Sequence, residues 1–140
     1  MGFWLPSHWD VGFQTRIAPG SSSHLIYYYE AYAVLSAFHW ILHTTAPPPK
    51  RVVIYSDSSN TCGLFRTLRA PVDENPIALT AADLMLRFGC QLRVAHVAGE
   101  QNVVADALSR FDNNTAHMYR PYLVINDFQP PQLLLGAALS

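Results

Sequence analysis

Apolar and polar positions change period several times along the chain, and each change predicts an element. Met1-Gly2-Phe3-Trp4-Leu5-Pro6 brings aromatic residues straight up to a proline, as a strand does, and Val11 to Ile17 alternates like a half-buried strand. Ser7-His8-Trp9-Asp10 between them fits a hairpin turn, and Ala18 to Ser23 a loop. From Ile26 to His43 the period becomes helical: Ala33, Val34, Ala37 and Ile41 share a face that Tyr, Phe and Trp widen, and Pro47-Pro48-Pro49 ends the run. Arg51-Val52-Val53-Ile54-Tyr55 is β-branched without alternation, which predicts an interior strand buried on both faces. Asp57-Ser58-Ser59-Asn60 offers caps for a helix running to about Arg69.

Asn75-Pro76 places a capping residue before a proline, and the helix it opens carries Leu79, Leu84, Leu86 and Phe88 up to Gly89. Gln91 to Val97 predicts another strand and Asn102 to Phe111 a last helix. Residues 112–140 hold three prolines and no periodic pattern before Leu133-Leu134-Leu135, and read as a linker or tail after a domain over 1–111. The order is two strands, helix, strand, two helices, strand, helix. That alternation predicts an α/β sheet with parallel strands, whose ligands gather at the carboxyl ends of strands.

Composition narrows the function classes only a little. Of 140 residues, 50% are hydrophobic and 14% charged, so a packed core is expected and wholesale disorder is not. A net charge of −1 gives no global attraction to nucleic acid; any such partner must be gripped locally. Cys62 and Cys90 have neither metal-ligand spacing nor a disulfide framework, so a reduced intracellular compartment, cytoplasmic or nuclear, is expected. No apolar run approaches the ~20 residues that span a bilayer, and no signal peptide is evident, so no membrane partner is expected.

Three acids stand where chemistry is expected. Glu30 is in register with the apolar Val34, Ala37 and Ile41, which desolvates it unless it is paired or binds a cation; a first-turn acid complementing the helix dipole is the structural alternative. Asp57 follows the buried strand directly, as a ligand at the sheet edge or as a helix cap. Asp106 shares a helical face with Asn102 and Arg110, so it is either a third acid or half of a surface ion pair. Together the three can meet at one sheet edge. Clustered carboxylates repel, and two divalent cations about 3.5–4 Å apart relieve that repulsion in phosphodiester hydrolysis, with magnesium as the oxygen-seeking choice. His96, inside the last strand, reads as a packed or hydrogen-bonded structural histidine, with proton shuttling as the lesser role.

The stretch His96-Val97-Ala98-Gly99-Glu100-Gln101-Asn102-Val103-Val104-Ala105-Asp106-Ala107-Leu108-Ser109-Arg110 resembles the closing motif of ribonuclease H domains in gypsy-type and DIRS-like retrotransposon reverse transcriptase polyproteins. Val53-Ile54-Tyr55-Ser56-Asp57-Ser58 resembles the central motif of that family, and Tyr29-Glu30-Ala31 its glutamate helix; the likeness runs over residues 1–111. It implies an α/β fold, a ribonuclease H-like mixed sheet flanked by helices. The family holds two Mg2+ ions with the acids Asp-Glu-Asp-Asp and hydrolyses the RNA strand of an RNA–DNA hybrid.

Glu30, Asp57 and Asp106 match the second, third and fourth acids as catalytic and metal-binding residues, and Ser58, Asn60 and Asn102 become the expected nucleic-acid contacts. Nothing matches the first acid, and Asp10, beside a turn, is no substitute. By this likeness the first strand, central in the family, is missing; the isolated chain is expected to be unstable or inactive, and its parent to be a polyprotein with reverse transcriptase. The alternative is a noncatalytic nucleic-acid or protein-binding module that keeps the fold and uses Arg66, Arg69 and Arg93 on phosphates. A transposon integrase shares the acid cluster, but integrases usually close it with a glutamate where this chain has the Asn102–Asp106 helix.

Overall fold

A computed structural model describes residues 1–5, 10–16, 26–69 and 74–134. It is a mixed α/β structure whose sheet elements are flanked by helices. In chain order the elements are β1 (Gly2–Leu5), β2 (Val11–Gln14), α1 (Ile26–Thr44), β3 (Arg51–Ser56), α2 (Ser59–Thr67), α3 (Asn75–Phe88), β4 (Gln91–His96), a 3-10 turn (Gly99–Gln101), α4 (Val103–Ser109), α5 (Asn113–Tyr119) and β5 (Val124–Asp127). The expected hairpin turn at Ser7–Trp9 and the loop at Ala18–Ser23 lie outside the described residues.

The strands form two groups. β2 pairs antiparallel with β1 and parallel with β5, giving a mixed three-stranded sheet in the order β1-β2-β5. β3 and β4 form a separate parallel pair. In the hairpin Phe3 stands opposite Phe13, and their rings stack with centroids 5.0 Å apart on the α1 side. The opposite face is held close to α4 by Gly2, where an added Cβ would lie 2.6 Å from the Ser109 backbone nitrogen.

Helix α1 joins the groups, because it is apolar nearly all round. Ala31, Val34, Leu35, Phe38 and Leu42 enter the main core with Val52 of β3, Leu64 and Phe65 of α2, and Ile77, Ala78, Ala81 and Leu84 of α3. Ala37 turns instead to Phe3 and Phe13. A second core under the three-stranded sheet is built by Val104, Ala107 and Leu108 of α4, Ala116 of α5 and Leu123.

Three expectations change. β3 is not buried on both faces: Val52 packs inward, but Val53 is 50% and Tyr55 65% exposed, since among the described residues helices cover only one side of the β3–β4 pair. Its β-branched run reflects the preference of such side chains for pleated backbone rather than burial. Of the caps that Asp57-Ser58-Ser59-Asn60 offers, α2 uses Ser58, whose Oγ accepts from the Thr61 amide. α3 already includes Asn75, with Glu74 at the cap and Pro76 in the first turn, where a missing N–H costs little.

The third change is the largest. The segment expected as a linker supplies α5 and β5, buries Ala116 and Leu123, and returns to α1 and α3 through Tyr32 Oη to the Pro131 carbonyl (2.6 Å) and the Leu134 amide to Thr80 Oγ1 (2.8 Å). Its short elements are too brief to show a period, and they are fixed by long-range contacts. One of these is the Arg120–Asp10 ion pair at 2.9 Å.

Candidate active site

Among the described residues β1 pairs only with β2, and β3 only with β4. The unpaired edges of β1 and β3 line one cavity of about 760 Å³. Its apolar wall is the stripe Ala33, Val34, Ala37 and Ile41 of α1, and its polar lining includes Glu30, Asp57, Asn102 and Asp106. Three elements deliver the three acids: α1 carries Glu30, the residue after β3 is Asp57, and α4 carries Asp106.

Glu30 is the most constrained of them. It is half-buried, and its Oε2 is buried without a hydrogen-bond partner. Burial pushes its carboxyl above the ordinary value of 4.5; the hydrogen bond from Ser58 lowers it, and the charges of Asp57 and Asp106 raise it further. Glu30 therefore feels the charge of both aspartates. Ser58, only 8% exposed, caps α2 and lowers the Glu30 carboxyl pKa, so its side chain faces inward.

Asp57 is exposed, and a Cβ on Gly99 would stand 3.5 Å from its Oδ2, so the turn after β4 passes close without covering the carboxylate. Asp106 is held by Arg110 at 3.3 Å in an exposed i,i+4 pair. The surface ion pair is formed, and Asp106 also borders the cavity. Among the described residues no three His, Cys, Asp or Glu side chains stand close enough to hold a metal ion as they are.

Other candidates fall away from this centre. Asn60 is exposed in the first turn of α2 and does not line the cavity, whereas Asn102 does. His96 is exposed at the end of β4 rather than packed. Asp10 is engaged with Arg120, away from the cavity. Burial raises the thiol pKa of both Cys62 and Cys90, which makes them poor nucleophiles at neutral pH. Arg66, Arg69 and Arg93 are exposed.

Sequence reasoning missed two features. One is the double use of Ser58, for which Ser58-Ser59-Asn60 left the capping residue ambiguous. The other is the cavity itself, whose signal was the alanines Ala33 and Ala37 inside a helix otherwise rich in aromatic residues. No helix among the described residues is long and apolar enough to cross a membrane. No family model, curated protein or solved structure matches the chain.

Proposed function

We propose that the chain is a ribonuclease H-like domain of the retrotransposon reverse transcriptase type, acting on or binding RNA–DNA hybrids. The observation that supports this most is the meeting of Glu30, Asp57 and Asp106 at one cavity next to the end of β3, with Glu30 electrostatically linked to both aspartates. The closing stretch from His96 to Arg110 supports the same reading, since its 3-10 turn and α4 bring Asp106 to that place.

The donor set suits magnesium. Three carboxylates and Asn102 are hard oxygen donors, and the orphaned Oε2 of Glu30 is a polar atom with a vacant bonding direction. Glu30 and Asp57 would hold a cation, with Asp106 joining once it leaves Arg110. A bound divalent ion would neutralise the carboxylates and favour an attacking water at a phosphodiester. The chain's own residues position that chemistry: Ser58 favours the ionised form of Glu30, the Gly99 turn leaves Asp57 open, and Arg110 competes for Asp106. Only three of the family's four acids are matched, so cleavage is expected to be weak or absent while recognition persists.

Hybrid binding tests this. The wild-type chain should bind an RNA–DNA hybrid more tightly than the same duplex in DNA, and Mg2+ should strengthen that binding. Asp57→Asn should keep the preference and lose the magnesium effect. Equal affinity for both duplexes, or a magnesium effect that survives Asp57→Asn, would overturn the proposal. Hybrid binding that owes nothing to Mg2+ would favour the noncatalytic binding module.

A further inference from the structure

We infer that His39 and His43 of α1 chelate a divalent transition metal, with Zn2+ as the fitting cation, at a second pocket that none of the three acids lines. The inference does not depend on the nuclease reading, because it uses no residue of the carboxylate cluster.

The spacing comes first. Residues four apart lie on the same helical face, so two imidazoles at i and i+4 stand one turn apart. Here the rings stack with centroids 4.0 Å apart and planes 28° from parallel. Zinc takes imidazole nitrogen at about 2.0–2.1 Å, so one ion spans two nitrogens up to about 4.2 Å apart. Rings this close reach a shared ion by small turns of their side chains.

Hydrogen bonding decides which nitrogen is available. His43 Nδ1 lies 2.8 Å from the His39 carbonyl oxygen, which can only accept, so Nδ1 carries the proton. The lone pair of the neutral ring is therefore on Nε2. Ligating histidines are commonly fixed in this way, with the other ring nitrogen donating to a backbone carbonyl. Phe88 packs against the same ring, with centroids 5.0 Å apart. The half-buried His39 ring makes no hydrogen bond to a described residue, so its lone pair is also unclaimed.

The surroundings suit an open site. Both histidines line a pocket of about 280 Å³ together with Ser36, Asp127 and Gln129. Waters there complete the coordination, as they must where no third ligand stands close among the described residues. Asp127 of β5 brings a negative charge to the pocket. The opposing cation, Arg87 of α3, is drawn to Asp83 at 3.4 Å. Burial, then His43 and Arg87, lower the His39 pKa from 6.5, so no proton need be displaced near neutral pH. Two imidazoles select zinc, nickel or copper over magnesium, which prefers oxygen.

A zinc chloride titration of the full 140-residue chain at pH 7, followed by NMR of the ring nitrogens of its six histidines, tests this. The His39 and His43 resonances should shift together with one midpoint, and magnesium chloride should move neither. His43 is exposed, so His43→Ala should fold normally and weaken zinc binding at His39 by roughly tenfold or more, since a single imidazole replaces a chelate. His43→Ala/Thr44→His keeps the number of histidines but takes the second ring off the shared face, and should show the same loss. Asp57→Asn should leave both shifts intact, so a failure of the nuclease proposal is separable from a failure here. Separate midpoints for the two rings, wild-type zinc affinity in the moved-histidine variant, or an equal response to magnesium would overturn the inference.

Discussion

The hydroxyl of Ser58 accepts from the Thr61 amide at the start of α2, and the same side chain, through its hydrogen bond, lowers the pKa of the Glu30 carboxyl of α1 against the upward push of burial. Helix capping and the ionisation of the most buried of the three acids thus both involve one side chain. Ser58→Ala should cost about 1 kcal/mol through the lost cap. It should also move the Glu30 carboxyl further up, since that hydrogen bond favours the ionised form. Urea denaturation checks the first effect and carboxyl NMR the second.

Glu30 itself makes stability depend on pH. Its folded-state pKa lies above the ordinary 4.5, chiefly from burial, so the folded chain binds this proton more tightly than the unfolded chain does. Stability from this group therefore falls as pH rises from the ordinary value through the raised one, and stays lower above it. Glu30→Gln should raise stability at pH 7 by an amount below about 1 kcal/mol, given solvent screening of a half-exposed group. Below about pH 4 the advantage should vanish. Thermal melts of the two proteins across that range check the sign.

Gly2 and Gly12 both lie under α4, but they differ in what an added methyl would meet. At Gly2 it meets backbone, 2.6 Å from the Ser109 nitrogen and 2.8 Å from the Leu108 carbonyl carbon; at Gly12 it meets side-chain ends, Leu108 Cδ1 at 2.9 Å and Leu123 Cδ2 at 3.2 Å. Gly2→Ala should destabilise by roughly 1–3 kcal/mol, and Gly12→Ala by less, because leucine tips can turn aside. Equal losses in chemical denaturation would contradict this ranking.

These particulars mark what the sequence made legible. The long α1, the β3 and β4 runs, and the helix ending at Gly89 are set by local period and by a residue whose φ of 61° suits glycine, so they could be read residue by residue. Glu30, Asp57 and Asp106 were legible as a set because helix register and strand ends fix where they point. The end of the chain was not: α5 and β5 are held by partners such as Asp10 and β2 more than 100 positions away, which no local window contains. The exposed face of β3 was hidden for the same reason, because β-branched residues favour strands whether or not a helix covers them. The cavity depends on which edges stay unpaired, a property of the assembled sheet alone.

Arg110 bears on the proposed cation site through its pair with Asp106. Its pair with Asp106 is exposed, with side-chain accessibilities of 75% and 48%, and such pairs contribute at most about 1 kcal/mol. Arg110→Ala should leave stability nearly unchanged while freeing Asp106, so Mn2+ binding followed by electron paramagnetic resonance should become tighter. Unaltered Mn2+ affinity would mean that Asp106 contributes nothing to cation binding.

The influence of the two aspartates on Glu30 is tested most directly by an NMR pH titration of the Glu30 side-chain carboxyl, in the wild-type chain and in Asp57→Asn/Asp106→Asn. The wild-type midpoint should lie above 4.5. In the double variant it should fall but stay raised, because burial remains after the two charges are gone. A midpoint that does not move between the two proteins would contradict the account, for it would mean that the acids share a cavity without sharing a field.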